Sequence, residues 1–477
     1  FSLGTLALLA GNDPSNPANA ARQTLAQTEA HALIETQETI DFWKSGQIDT
    51  GSKITWNLGH KLTVLAEYYL QTSDPLVLPT IEAMAVQIAN GQSHLGTMGH
   101  QLTNLNAQGN PNDAYNVGYG TVNSAGMPTF LGLLLAKECG VTNPEIDPAI
   151  ERASRYYAAY TGYGAHPYGE HGPYSKAHES NGKSGLASLC FMLLNDRAEE
   201  GKFYSMMATA AASEREDGHT GPYFNQLWAP LGAAAGGEDA VAAHFSRISW
   251  MLDLNREWDG GFYWNRLDGS GSGERWNDFD MSTVALLTYA LPLRELHITG
   301  RGHDAARYLT APEVAAAVAA DDYDATTRTT SELVTDLGNW SPKVQILAAE
   351  EIGTRTAEHS TLIPQLVAIA NDTQAGEQRG GACIALGEIG DGSVAADLAA
   401  LLDDADPEVR YQSADAMRFL PQADKLAQID TSLTAAASTG KPFFPIDEED
   451  PLHFAHHRLC MLLFYSGNAY GPKGVIY

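Results

Sequence analysis

The chain has 477 residues, 44% of them apolar and 18% charged, with a formal net charge of −29. That length exceeds one ordinary core, so two or three domains are expected, and the composition is that of a globular rather than a disordered chain. The negative charge, spread along the chain, argues against nucleic acid and anionic membrane as partners, and no stretch reaches the roughly 20 apolar residues that span a bilayer.

The chain opens on "FSLGTLALLAG", which reads as part of a packed helix. It is short for a signal peptide and lacks the basic flank, so an upstream region is expected to precede it. From here a unit of apolar helix, short polar turn and second helix recurs six times before residue 320. "LGTLALLAG" pairs with "AARQTLAQTEAHALIETQ", and "LGHKLTVLAEYYLQT" with "LVLPTIEAMAVQIA". "NSAGMPTFLGLLLAKECG" pairs with "AIERASRYYAAY", and "GKSGLASLCFMLL" with "GKFYSMMATAAASE". "YFNQLWAPLGAAAGG" pairs with "AVAAHFSRISWMLDL", and "MSTVALLTYALPLREL" with "HDAARYL", the weakest member.

Most first helices are rich in Gly, Ala, Ser and Leu, apolar on nearly every side, and should be buried; the second helices carry a charged outer face. Repeats of this kind predict an all-α chain in which residues 1–320 form an (α/α)6 toroid. The long connections, residues 43–54, 91–121, 161–181, 214–221 and 256–279, then converge on one rim at the N-termini of the first helices, where partial positive charge gathers.

Those connections concentrate chemistry. "HPYGEHGPYSKAHE", residues 166–179, holds three histidines, two glutamates and two tyrosines among prolines and glycines that forbid regular structure. Neighbouring connections add Tyr119, Asp217, His219, Trp258, Asp259, Arg275 and Trp276, and Tyr223 and Trp228 follow at a helix start. Aromatic faces stack on sugar rings while carboxylates and amides bind hydroxyls, so the ensemble reads as a glycan cleft. Each of these residues taken singly is as compatible with loop packing.

A glycoside hydrolase needs two carboxylates flanking the scissile bond, one held protonated. Glu170 is the first candidate, opposite Asp259 or Asp217, with His178 and His219 as orienting or proton-shuttling imidazoles; Glu179 stands nearer the helix start, as a cap would. Substrate contacts are expected from Tyr119, His166, Tyr168, Tyr174, Asn181, Tyr223, Trp228, Trp258, Arg275 and Trp276. The alternative is a polysaccharide lyase on a uronate glycan, with Asn181 or Arg275 on the carboxylate and His178, His219 or Tyr174 as base and acid. A third is a scaffold that binds glycan or protein without catalysis.

No cofactor is expected. His166, Glu170, His171, His178 and Glu179 are possible metal ligands, but the H-x3-E-H spacing contains proline and glycine and cannot show both histidines on one helix face. His453 and His457 in "HFAHH" lack a carboxylate at ligand spacing. "GSGSG" at 269–273 follows no strand and has no lysine, which excludes a phosphate loop. Cys139, Cys190, Cys383 and Cys460 are far apart among apolar neighbours and are expected as free thiols. The expected setting is secreted or periplasmic.

Beyond a linker at 321–340, "ILAAEEIG" (346–353), "CIALGEIG" (383–390) and "SADAMRFL" (413–420) recur, and "DADPEVRYQSADAM" carries an Asp-Pro-x-Val-Arg turn. Residues 341–425 therefore read as a short HEAT-like solenoid and a possible protein-binding surface. Residues 426–477 are expected to be an extension packed on the preceding domains.

"WNLGHKLTVLAEYYL", "NGKSG", "HTGPYFNQLWAPLGAA" and "WDGGF" resemble an (α/α)-toroid family associated with PDZ-like and HEAT-repeat domains. The resemblance covers roughly residues 1–420 and brings no catalytic residue with it. At fold level it implies a likeness to six-hairpin glycosidases and toroid polysaccharide lyases, which is analogy and not function.

Overall fold

A computed structural model describes residues 3–103, 116, 120–217, 223–263, 281–428 and 431. Among the described residues the regular structure is helical throughout, without a strand; two isolated antiparallel bridges join Ala165 to Tyr174 and Arg256 to Phe262. The chain divides into two compact units, Phe1–Asp322 and Tyr323–Tyr477.

The first unit contains α1 (Gly4–Ala10), α2 (Asn19–His31), α3 (Gln37–Lys44), α4 (Ile54–Thr72), α5 (Leu78–Asn90), α6 (Asn123–Glu138) and α7 (Ile146–Ala158). It continues through α8 (Lys183–Met192), α9 (Ala198–Thr209), α10 (Tyr223–Ala235), α11 (Glu238–Leu254), α12 (Met281–Ala290) and α13 (Ala311–Asp321). Fully enclosed helices occur beside open ones, but the expected alternation is not regular, because α5, read as an outer helix, is mostly buried. Every residue of α8 and of α10 is buried, and α6 is buried over all but its last two residues. By contrast α2 buries only Ala26 and Ala30, and α11 shows Trp250 and Leu254 to solvent.

The buried helices pack in series: α1 on α4, α4 on α6, α6 on α8, α8 on α10, α10 on α12, and α12 back on α1. Small residues permit the close approaches. A Cβ built on Gly185 of α8 would stand 2.2 Å from the Trp228 carbonyl oxygen of α10, and one on Gly232 of α10 would stand 2.5 Å from the Gly185 Cα. Contacts this close exclude any side chain, so these two glycines set the α8–α10 spacing.

Two expected elements differ. Residues 32–36, read as the tail of one helix, break before a separate α3 because Thr36 turns extended and its hydroxyl accepts the Thr39 amide at 3.2 Å. "HDAARYL" supplies only a 3-10 turn at Ala305–Arg307, and the outer position beside α9 and α11 is taken by α13.

The second unit contains α14 (Thr330–Asp336), α15 (Pro342–Thr354), α16 (His359–Asn371), α17 (Gln378–Ile389), α18 (Ala395–Ala400) and α19 (Pro407–Ala416). α15, α17 and α19 stack in that order, α16 packs on α17 and α18 on α19, around Leu333, Ile352, Leu366, Leu386, Leu398 and Met417. The Asp-Pro motif works as a helix start: Asp406 Oδ1 accepts the Glu408 amide at 2.9 Å, and Pro407 occupies the first helical position, where no amide is needed. Residues 321–340, read as a linker, instead hold the capped helix α14, whose Leu333 and Leu337 are fully buried. Its threonine cap and apolar i, i+4 pair give this short segment a core to join. Of the 426–477 extension, all but 426–428 and 431 lies outside the described residues.

Candidate functional site

The connection leading into α8 is the most polar buried segment of the first unit. His178, Glu179, Asn181, Lys183 and Ser184 are all at most 1% exposed. Asn181 and Gly182 both take left-handed backbone conformations, φ 58° and 76°, so the chain turns sharply just before the helix begins. A Cβ on Gly182 would meet the Phe224 carbonyl oxygen at 2.4 Å, so this step of the turn fits only glycine.

Two glutamates organise this turn. Glu179 Oε1 accepts the amides of Ser180 at 2.7 Å and Ser184 at 2.9 Å, and Oε2 accepts Gly185 at 2.8 Å. It is the anionic cap of α8, reached from outside the helix. Glu214 Oε2 accepts the amides of His178 and Glu179, each at 2.7 Å, and its Oε1 lies 3.9 Å from His178 Nδ1. Asn225 ties the turn to α10: its Oδ1 accepts Gly182 N at 2.6 Å and its Nδ2 donates to the Glu214 carbonyl at 2.8 Å.

Lys183 completes the group. Its ammonium donates to the Ser180 carbonyl and, at 3.3 Å, to the Ser180 hydroxyl. Burial drives its pKa down to about 7, opposed by the nearby Glu179 carboxylate, whose own pKa burial raises. Neither Lys183 nor Glu214 was selected from the sequence as catalytic, because both sit beside helical patterns where a charged residue normally faces solvent.

A second polar cluster surrounds Glu170, which is exposed at the edge of the same connection. Glu170 Oε1 accepts the hydroxyls of Thr121 and, at 3.3 Å, Thr97. Asn116 Nδ2 donates to both threonines, at 2.7 and 2.6 Å, and Ser93 Oγ lies 2.7 Å from Thr97 Oγ1. Thr97, Asn116 and Thr121 of the 91–121 connection therefore meet Glu170 of the 161–181 connection.

An aromatic group lies at the starts of α4 and α10. Trp56 Nε1 donates to His100 Nδ1 at 2.8 Å, and the His60 ring lies 6.2 Å from Trp56, 6.0 Å from Phe224 and 6.2 Å from Trp228. Burial pushes the His60 pKa down to about 4.

The other sequence candidates fall in different places. His166 is buried in an aromatic core, its Nε2 bonded to the Tyr157 carbonyl at 3.0 Å and the Tyr204 hydroxyl at 3.2 Å, and burial pushes its pKa to about 3. Trp228 and Tyr223 are buried on α10, Tyr168 is half-buried and Tyr174 is at the surface. Asn181 donates to Ser124 Oγ at 3.0 Å. Asp217 is exposed and gives its carbonyl to Asn225. Trp258 is 95% exposed, and Asp259 beside it accepts the Gly261 amide at 2.9 Å within a turn. Tyr119, His219, Arg275 and Trp276 lie outside the described residues.

Five of the six serially packed helices carry, in their first turn, a buried polar side-chain atom that has no hydrogen-bond partner among the described residues. These are Thr5 Oγ1 on α1, Thr55 Oγ1 on α4, Asn123 Oδ1 on α6, Ser184 Oγ on α8 and both amide atoms of Gln226 on α10. Isolated cases arise in any fold, and buried polar groups are normally paired. Among the described residues no group of three or more His, Cys, Asp or Glu has the geometry to hold a metal ion. Cys139, Cys190 and Cys383 are buried free thiols, and Cys460 lies outside the described residues. No described helix is long and apolar enough to cross a membrane.

These features define an all-helical protein: a unit with polar chemistry at its helix starts, then a stack of HEAT-type helix pairs. Residues 1–300 match the family described as a domain of unknown function (DUF6288), and the chain belongs to that family. Residues 330–418 match HEAT repeats. No curated protein and no solved structure matches the chain, so the likeness to six-hairpin glycosidases and toroid lyases has no relative behind it.

Proposed function

We propose that the first unit is an (α/α)6 toroid that binds a glycan at the N-terminal ends of its inner helices, and that it acts as a glycoside hydrolase with Glu170 as general acid. Support for the toroid comes from the helix series that returns from α12 to α1. Side chains reinforce that return: Asn12 Nδ2 donates to Glu295 at 2.9 Å, and Gln71 Nε2 donates to Glu295 at 3.4 Å. Glu67, fully buried on α4, accepts the amides of His297 at 3.1 Å and Ile298 at 2.8 Å.

The observation that carries the glycan reading is the set of unpartnered hydroxyls and amides on the first turns of five inner helices. A sugar offers many hydroxyls, each able to donate and accept, which suits a mixed set of Thr, Ser, Asn and Gln groups. Trp56, half-buried at the start of α4, supplies aromatic surface. Among the carboxylates, Glu179 and Glu214 are engaged by backbone amides, whereas Glu170 stands at the exposed edge, held by two hydroxyls. Glu170 is therefore the carboxylate placed to reach a bound sugar, and the general-acid role is assigned to it. Asp217 and Asp259 are the partners assigned to activate water.

The test is a panel of neutral and uronate glycans against the parent and Glu170→Gln. The expected result is cleavage by the parent and a kcat about 100-fold lower in the variant with KM little changed. Full activity in the variant overturns the assignment. Unsaturated uronate products would move it to the lyase, with Asn181 and His178 in the roles given above. Binding without cleavage would leave a glycan-binding scaffold. The HEAT repeats support a protein partner for the second unit, and the glycan reading places the protein in a secreted or periplasmic setting.

A further inference from the structure

A cavity of about 510 Å³ lies between α1, α2 and α12, away from Glu170 and the α8 turn. Its walls are mostly apolar: Ala7 and Leu8 of α1, Leu25 of α2, and Leu286 and Tyr289 of α12, with Leu293 just beyond. Leu25, Leu286, Tyr289 and Leu293 are 48, 49, 40 and 43% exposed, an apolar rim open to solvent. Its size falls within the range of small-molecule sites, roughly 300–1,000 Å³.

One cation lines it. Arg22 projects from the first turn of α2 towards the end of α1, where a Cβ on Gly11 would lie 3.3 Å from Arg22 Nη1. The Arg22 Nε and Nη2 atoms are buried and, among the described residues, have no hydrogen-bond partner. Arg22 interacts at longer range with Asp13, whose pKa it helps lower, but no ion pair joins them. Glu29, the cavity's acidic residue, is seven residues along α2, about 10 Å from Arg22 by helix rise, so it faces another part of the space. Buried guanidinium N–H groups without acceptors are costly, and the Nε and Nη2 edge is the fork that takes a carboxylate in two parallel bonds.

We propose that this cavity binds an alkyl carboxylate, with the carboxylate on Arg22 Nε and Nη2 and the alkyl chain along Leu8, Leu25 and Leu286. The geometry supplies both halves of such a ligand: a planar cation with two unpartnered donors at one side, and apolar wall for a chain that water would otherwise surround. The site is independent of the proposed hydrolase chemistry and stands if that chemistry fails.

The test uses the full chain and decanoate, with 1-decanol as the uncharged control, by titration calorimetry. Decanoate should bind the parent about tenfold or more tightly than decanol, and Arg22→Gln should abolish that discrimination by weakening decanoate alone. Leu25→Asp, at a half-exposed rim position that leaves the fold intact, should weaken both ligands. Decanoate labelled with 13C at the carboxyl gives a second readout: its pKa should fall on binding the parent and stay unshifted with Arg22→Gln. Equal affinity for decanoate in the parent and Arg22→Gln overturns the proposal. So does failure of decanoate to bind the folded parent.

Discussion

The two units are both stacked helix pairs, yet they differ in what they bury. The first encloses Glu67, Glu179, Lys183, Glu214, His60, His166, His178 and His244, each bound into the starts and ends of particular helices. The interior of the second runs through Leu333, Leu337, Ala348, Ile352, Leu366, Leu386 and Met417, with Arg379 among its few buried charges. Arg379 is paired with Asp404 and donates to the Ala370 carbonyl at 3.0 Å. A repeat stack needs only a continuous apolar seam to specify its neighbours, so its polar groups concentrate at caps. A helix bundle whose starts hold buried carboxylates and amides has desolvated many groups, and such arrangements persist where function uses them. The difference is between a stack joined along an apolar seam and a bundle tied together by buried polar contacts.

The largest effect expected from this comparison is at Gly185. Its missing side chain allows α8 and α10 to meet, with the Trp228 carbonyl oxygen 2.2 Å from where a Cβ would be. Gly185→Val must push the helices apart, disturbing the Glu179 cap and the Asn225 tie together, at a cost of about 3 kcal/mol or more. Hydrogen exchange on the full chain should show protection lost across α6, α8 and α10, with α15 and α17 unchanged. Loss of protection in α15 and α17 as well would mean that the two units do not open independently.

How they answer pH gives a sharper contrast, with an intermediate effect. Burial pushes the pKa values of His60, His166, His244 and His303 in the first unit down to about 4, 3, 4 and 4. Their folded-state values lie below the unfolded value near 6.5, so their contribution is present above that pH and is lost as pH falls towards 4. In the second unit Glu408 is pushed up to about 8 by burial, then by Asp406 and Glu377. Here the folded value lies above the unfolded one near 4.5, so the contribution is complete below that pH and is lost as pH rises through 8. Glu408→Gln should stabilise α17 and α19 by about 2 kcal/mol near pH 8.5 and by almost nothing near pH 4.5. An equal gain at both pH values would show that Glu408 does not titrate in this window.

Much of the fold was legible because hydrophobic pattern dictates burial. The all-apolar helices "NSAGMPTFLGLLLAKECG" and "YFNQLWAPLGAAAGG" became α6 and α10, both almost wholly enclosed. The three HEAT-like segments became α15, α17 and α19. The stretch at 321–340 was harder because α14 is only seven residues long, too short for a periodic signal, and depends on its cap and on Leu333 and Leu337. Site candidates were partly legible. The segment 166–179 does carry buried ionisable groups, but His166 packs among tyrosines while the denser cluster lies just downstream at 178–185. Glu214 was missed because "AAASERED" reads as a helix running into solvent; which of its acids turns inward depends on the His178 and Glu179 amides, 36 and 35 residues away in sequence. Such long-range pairings leave no periodic trace.

The smallest expected effect tests whether caps in the stack are as local as this comparison implies. Thr329 accepts the Glu332 amide at 3.3 Å, and Glu332 Oε2 reciprocally accepts the Thr329 amide at 2.8 Å and its hydroxyl at 2.7 Å. Hydrogen bonds from Thr329 hold the Glu332 pKa below its usual value, although the carboxylate is at the surface. Water can replace part of what is lost there, unlike at Glu214, whose two amide partners are buried. Thr329→Ala should therefore cost only about 1 kcal/mol and confine its effect to fraying of α14. The measurement is the thermal midpoint together with exchange rates of the Thr330–Asp336 amides. A loss of several kcal/mol, or exchange spreading into α15 and α17, would show that this short helix nucleates the stack, and the second unit would then share the first unit's dependence on single polar contacts.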